Sequence, residues 1–250
     1  LSGIEYFTNL TSLTCYGNKL TQLDVTALSK LKYLSCFDNK LTVLNVNGMP
    51  NLEELLCHAN ALNAIDLTGL PKLKKIDCEN NLLSYLNVTS LLSLEYINCQ
   101  KNKLSSIDAS GLSVLRNLYC ASNLLTSIKV SGLINLTDFD FSNNLLTGFD
   151  ASGLKSLKKF YCYKNQLTTL NVSGLSALSE FHCNDNLLTS LDIDAYDNIN
   201  NIRCNNNQLT TLKLHGASNY YSHIDCDNNK LETIDISNLK YLTSLSCNNN

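Results

Sequence analysis

The sequence predicts a solenoid of the α/β-solenoid class that is mostly β, with little or no helix. Three observations carry that expectation: a 21-residue period, an apolar alternation inside each period, and a polar column at a fixed offset from it. Cysteine marks the period. Cys15, Cys36, Cys57, Cys78, Cys99, Cys120, Cys162, Cys183, Cys204, Cys226 and Cys247 fall on a 21-residue grid, with Phe141 at the one grid place that lacks cysteine and a single step of 22 after Cys204. Three residues after each grid position stands Asn, from Asn18 to Asn250, and two residues further on stands Leu, from Leu20 to Leu231.

Each unit has two segments with strand character. In Leu118-Tyr119-Cys120 the apolar residues alternate with a variable one, and the alternation returns at Ile128-Lys129-Val130. A period of two places one side of a strand in a core and the other in water. Repeating units that bury leucines only against their neighbours form a quasi-one-dimensional stack, which no single unit can form alone. A buried Leu, Ile or Val contributes ~1.5–3 kcal/mol, so the apolar ladders hold the stack and the outward positions are free to vary.

The Asn column stands where the chain leaves the first strand. Its amide can satisfy turn N–H and C=O groups whose loss costs ~1–3 kcal/mol each, so the column reads as scaffold. Gly48, Gly69, Gly111, Gly132, Gly153, Gly174 and Gly216 follow the second strand, where a sharp turn calls for positive φ or close backbone approach. The Asp residues of that second segment, Asp24, Asp66, Asp108, Asp150, Asp192 and Asp235, occur in alternate units, which spares neighbouring turns a stacked pair of like charges. A calcium ladder is the functional alternative there, but the glycine-rich calcium-binding repeat is missing. The extra residue after Cys204 falls around Ala217 to Tyr221 and reads as a loop insertion on the convex side.

The eleven cysteines read as packing. They occupy the inward place that Phe141 fills in one unit, their Cβ vectors run parallel, and no Cys-x-x-Cys spacing occurs. Free, reduced, buried thiols are expected, each acting as a small apolar side chain. Phe139, Phe160 and Phe181 share one inward position in successive units, with Phe141 and Phe149 nearby, and predict an aromatic core segment.

With its units reading LxxLxCxxNxLTxLDVSGLxx, the chain resembles the leucine-rich repeat proteins over essentially its whole length, and the cysteine column resembles in particular the cysteine-ladder internalins of Gram-positive surfaces. The opening, Leu1 to Leu13, is similar to the lead-in of internalin repeats. The resemblance implies a right-handed solenoid with a parallel sheet on its concave face and short strands or extended segments on its convex face. It also implies a secreted or surface-attached binding and adhesion module. The organisation expected is one domain over 1–250, about twelve units without terminal caps, with any signal and anchor outside this sequence.

Composition narrows the partners. A net charge of -3, from 19 Lys+Arg against 22 Asp+Glu, gives no electrostatic case for nucleic acid, and no apolar run is long enough to insert in a membrane. On the first strand, the outward positions flanking the cysteines gather aromatic and cationic residues. Tyr33, Phe37, Tyr96, Tyr119, Tyr161, Tyr163, His182 and Arg203 are the candidate partner-binding residues, of types enriched in binding hot spots. Acidic and basic residues share these columns, which suits a host or neighbouring-cell surface protein better than a polyanion.

No catalytic residue, cofactor or metal site is expected. His58 and His182 adjoin Cys57 and Cys183, but strand alternation turns each pair to opposite faces. The expected molecule is a monomeric binding module. The alternatives are a passive stalk, in which changing outward aromatics does nothing, and a glycan-binding face, at which sugars compete. An intracellular scaffold would also tolerate free thiols.

Overall fold

The structure, a computed structural model, describes residues 3–193, 199–214, 222–237 and 239–250. It is a parallel β-solenoid with almost no helix: one 3₁₀ turn, Ile4–Tyr6, precedes the strands. Two compact units are distinguished, Leu1–Leu133 and Ile134–Asn250.

In the first unit the strands Ser12–Thr14, Tyr33–Ser35, Glu54–Leu56, Lys75–Asp77, Tyr96–Asn98 and Asn117–Tyr119 pair in chain order, all parallel. In the second, Asp138–Asp140, Lys159–Tyr161, Glu180–His182, Asn201–Arg203, His223–Asp225 and Ser244–Ser246 do the same. The register advances by one sequence period per strand, so like positions meet: Leu34 lies beside Leu55, and Phe160 between Phe139 and Phe181. The alternation sets the strand faces. Leu34, Leu55, Ile76, Ile97 and Leu118 are fully buried, while their strand neighbours are partly exposed except for Ser35 and Asn98, which are covered as well.

The second strand-like segment of each unit forms shorter pairings, Ser106–Asp108 with Ser127–Lys129, Gly148–Asp150 with Thr169–Asn171, and Ser190–Ile193 with Thr211–Leu214. Single bridges join Asp24, Asn45 and Asp66. Inside the second unit Phe160 stacks on Phe139 and Phe181 at 5.9 and 5.7 Å, and Phe141 and Phe149 tilt against it.

The Asn column does what its chemistry predicts. Asn60 donates from Nδ2 to the carbonyls of Cys36, Cys57 and His58 at 3.1, 3.1 and 3.3 Å, and its Oδ1 accepts the Leu41 N–H at 2.9 Å. One side chain thus ties its own turn to the one before. The arrangement rests on a left-handed residue in each turn, most often Asn, Asp or Gly. The residue two after each grid position is left-handed, including Asp38, Ala59, Asn80 and Lys101 at φ of 52°, 52°, 54° and 53°. Alanine and lysine enter this region at a cost of ~1–2 kcal/mol, which the neighbouring amide bonds offset.

Two expectations are corrected and one column gains a role. The alternate Asp residues act as local turn caps: Asp24 Oδ1 accepts the Thr26 N–H at 3.0 Å, Asp108 the Ser110 N–H and Asp150 the Ser152 N–H, with Asn87 and Asn171 doing the same between them. Capping accounts for Asp or Asn at these places, and the alternation of the two keeps like charges apart. Gly69, at φ 73°, does need to be glycine, since a Cβ there would meet the Gly48 Cα at 2.9 Å, but Gly153 does not adopt positive φ. Finally, all eleven thiols are free, yet Cys247 is exposed while the other ten are buried. Gly216, His215 and the insertion at Ala217 to Tyr221 lie outside the described residues.

Candidate functional site

The outward columns of the paired first strands place the candidate residues at fixed register, about 4.8 Å from strand to strand. In the first unit the column after the cysteines forms a ring stack. Phe37 lies between Tyr16 at 4.4 Å and His58 at 4.3 Å, with interplanar angles of 5° and 11°. His58 was missing from the sequence candidates, although its spacing of 21 residues from Phe37 places it in the same column. Its Nδ1 stands 3.7 Å from the Asp77 carboxylate. Burial pushes that carboxyl above the usual range, against the opposing pull of the Glu79 N–H and His58. Tyr33 is partly buried and lies outside the stack.

A second cluster brings together two predicted residues. Tyr96 meets Tyr119 edge-on at 5.6 Å, the Lys75 ammonium sits 5.2 Å from the Tyr96 ring centroid, and Asn117 donates to the Tyr119 hydroxyl at 3.2 Å. Burial, with the charge of Asp77, pushes the Tyr96 phenol up to about 12. The flanking carboxylates have cations: Glu53 pairs with Lys74 at 2.8 Å and Glu79 with Lys101 at 2.7 Å.

In the second unit Tyr161 and His182 are in register, their rings 5.1 Å apart, and the Tyr161 hydroxyl donates to Glu180 at 2.5 Å. Burial and the bond to Glu180 raise the Tyr161 phenol well above its ordinary value, which keeps it a neutral donor. Arg203 is exposed and in register with His182. Burial and the Arg203 guanidinium hold the His182 imidazole below its ordinary value, which favours the neutral ring. Tyr163 is partly buried, in the column after the cysteines. The role of Glu180 was not read from the sequence, because the partner lies one period away on the next strand.

These arrays can present flat, pre-positioned aromatic surface with hydrogen-bonding tips to another molecule. Cys57 and Cys183 are buried, while His58 and His182 are partly exposed. Among the described residues no group of three or more His, Cys, Asp or Glu side chains is placed to hold a metal, and no helix is long and apolar enough to cross a membrane.

No protein-family model and no curated protein matches the chain. Solved structures do. The functional domain of InlJ from Listeria monocytogenes, which includes a cysteine ladder, is 30% identical, with a TM-score of 0.87 over 97% of this chain and 54% of that one. The chain thus spans about half the length of that domain. A leucine-rich repeat protein of Leptospira interrogans is 23% identical, with a TM-score of 0.68 over 100% of this chain and 81% of that one. YopM, a leucine-rich effector protein from Yersinia pestis, is 24% identical, with a TM-score of 0.76 over 96% and 72%. The latter two likenesses concern the fold alone.

Proposed function

We propose that this chain, a leucine-rich repeat solenoid of the 21-residue cysteine-ladder type, is a monomeric protein-binding module that works at a cell surface or outside the cell. It meets a surface protein of a host or neighbouring cell through the outward columns of its first strands, with Tyr33, Phe37, Tyr96, Tyr119, Tyr161, Tyr163, His182 and Arg203 as contacts. The observation that carries this reading is the fixing of tyrosines by their register neighbours while they stay partly exposed. Tyr119 is held by Tyr96 and Asn117, and Tyr161 by Glu180 and His182. Rings already held lose little freedom on binding, at a saving of ~0.5–1.5 kcal/mol per side chain. The likeness to an internalin domain supports the location.

A glycan-binding face is the alternative reading, and Phe37 would not serve it. Sugars pack on the face of an aromatic ring, and both faces of Phe37 are covered by Tyr16 and His58. The test is binding to arrays of cell-surface proteins and glycans, using this chain beside a Tyr119→Ala, Tyr161→Ala, Tyr163→Ala variant whose folding is checked by circular dichroism. A protein captured by the parent and lost by the folded variant supports the reading. Capture that the variant keeps, capture of sugars alone, or no capture would overturn it, the last in favour of a stalk.

A further inference from the structure

The carboxylates near Tyr96 and those near Tyr161 differ in their partners, while Glu54, in register with Tyr33, forms no ion pair among the described residues. In the first unit Glu53, Glu79 and Asp77 each have a basic side chain within 4 Å. In the second unit Asp138, Asp140 and Glu180 have none among the described residues, although Tyr161 stands in register with Asp140, and the Asp138 and Glu180 strands flank its own. All three act on the Tyr161 hydroxyl. Their hydrogen bonds are to neutral donors: Asp138 accepts from Thr137 at 2.7 Å, Asp140 from the Ser142 N–H and hydroxyl at 2.9 and 2.6 Å, and Glu180 from Tyr161. Lys159 lies between Asp138 and Glu180 in the register and forms an ion pair with neither. On the next strand, Asn201 is in register with Glu180, and its buried Oδ1 meets no donor.

We infer that the strand face of the second unit around Tyr161 receives an arginine or lysine side chain from the protein partner. The inference rests on the protein-binding reading above and specifies the partner's chemistry. An aromatic ring beside unpaired carboxylates matches a side-chain cation, which takes ring contact and charge together. A hard divalent ion instead requires several oxygens converging on one point. Charge complementarity of this kind governs which partner is accepted and how fast it docks.

The probe is an extended Arg-Ser repeat peptide, compared by titration calorimetry with a citrulline-Ser peptide of equal length and with a Glu-Ser peptide. The expected result is that the Arg-Ser peptide binds most tightly, that added salt weakens it, and that Asp138→Asn and Glu180→Gln each reduce its affinity roughly threefold. Both substitutions retain an oxygen acceptor, so the local hydrogen bonds persist. Asp108→Asn and Asp150→Asn remove the same charge from the second-strand columns, where Asn87 and Asn171 already cap turns, and should leave affinity unchanged. Equal binding of the citrulline or Glu peptide, or equal effects of the control substitutions, would overturn the inference. A protein partner that depends on the tyrosines but ignores Asp138→Asn and Glu180→Gln would overturn it too, and would leave the protein-binding reading standing.

Discussion

Asn123 reaches back 19 residues to accept the Leu104 N–H at 3.0 Å. Its Nδ2 donates at the same time to the Cys99, Cys120 and Ala121 carbonyls at 3.0, 3.1 and 3.3 Å. The side chain is buried, so every one of these backbone groups would otherwise be cut off from water. A turn that binds its predecessor in this way couples folding along the stack. Asn123→Ala should cost about 3 kcal/mol, since several buried polar groups lose their partner together. Asn123→Asp should cost more, because a carboxylate would face three carbonyls. Urea melts of the two variants check both statements.

Ala59 holds φ at 52°, a conformation that disfavours a Cβ. Glycine there relieves ~1–2 kcal/mol of folded-state strain and adds ~0.4–1 kcal/mol of unfolded-state entropy. Ala59→Gly should therefore stabilise by about 0.5–1 kcal/mol, read as a higher urea midpoint. A loss of stability would show that the Asn60 bonds had already relieved the strain.

Ten of the eleven thiols are buried and Cys247 is exposed. Burial pushes Cys36 up to about 12 and Cys226 to about 11, and the wholly enclosed thiols such as Cys99 well beyond the ordinary value. Only a thiolate attacks a disulfide reagent. Titration of the folded protein with an aromatic disulfide should release one equivalent quickly, and the remainder only in denaturant. Fast release of more than one equivalent would mean that the column opens in solution.

Burial raises the Asp140 carboxyl above its unfolded value. A raised carboxyl contributes stability that is fully present below about pH 4 and lost as pH rises through the folded value. Asp140 is therefore a liability at neutral pH. Asp140→Asn keeps an acceptor for Ser142, so it should raise the melting temperature at neutral pH and lose that advantage below about pH 4. Asp150 has the opposite sign. The Ser152 cap lowers its carboxyl, so its contribution is present above about pH 4 and lost as pH falls. Melts of Asp140→Asn and Asp150→Ala across this range should show the two effects in opposite directions.

The fold was legible because a solenoid writes each contact into the sequence at a single spacing. Once Cys57 and Cys78 share a column, so do Leu55 and Ile76, and the sheet register follows. The purpose of the Asp column was also present, as an acidic residue or Asn two places before Thr or Ser in Asp24 to Thr26 and Asn87 to Thr89, but charge repulsion gave a competing explanation. The left-handed column was legible in part: Gly17, Asp38, Asn80, Asn143, Asp185, Asn206, Asn228 and Asn249 are the types that enter that region most readily, whereas Ala59, Lys101, Ser122 and Lys164 have it imposed by the turn. At the candidate site, columns identified which aromatics could meet. They did not show that Tyr161 bonds to Glu180 or that His58 closes the stack on Phe37, since side-chain rotamers decide those contacts.

The central claim is that the outward columns of the first strands meet a protein. Radical footprinting of the chain with a partner captured from the array tests it directly, because oxidation reports side chains one at a time. The account predicts protection of Tyr119, Tyr161, Tyr163 and His182, with no change at the exposed Tyr85 and Leu187. Protection of Tyr85 or Leu187, with Tyr161 and His182 as reactive as in the free chain, would contradict it.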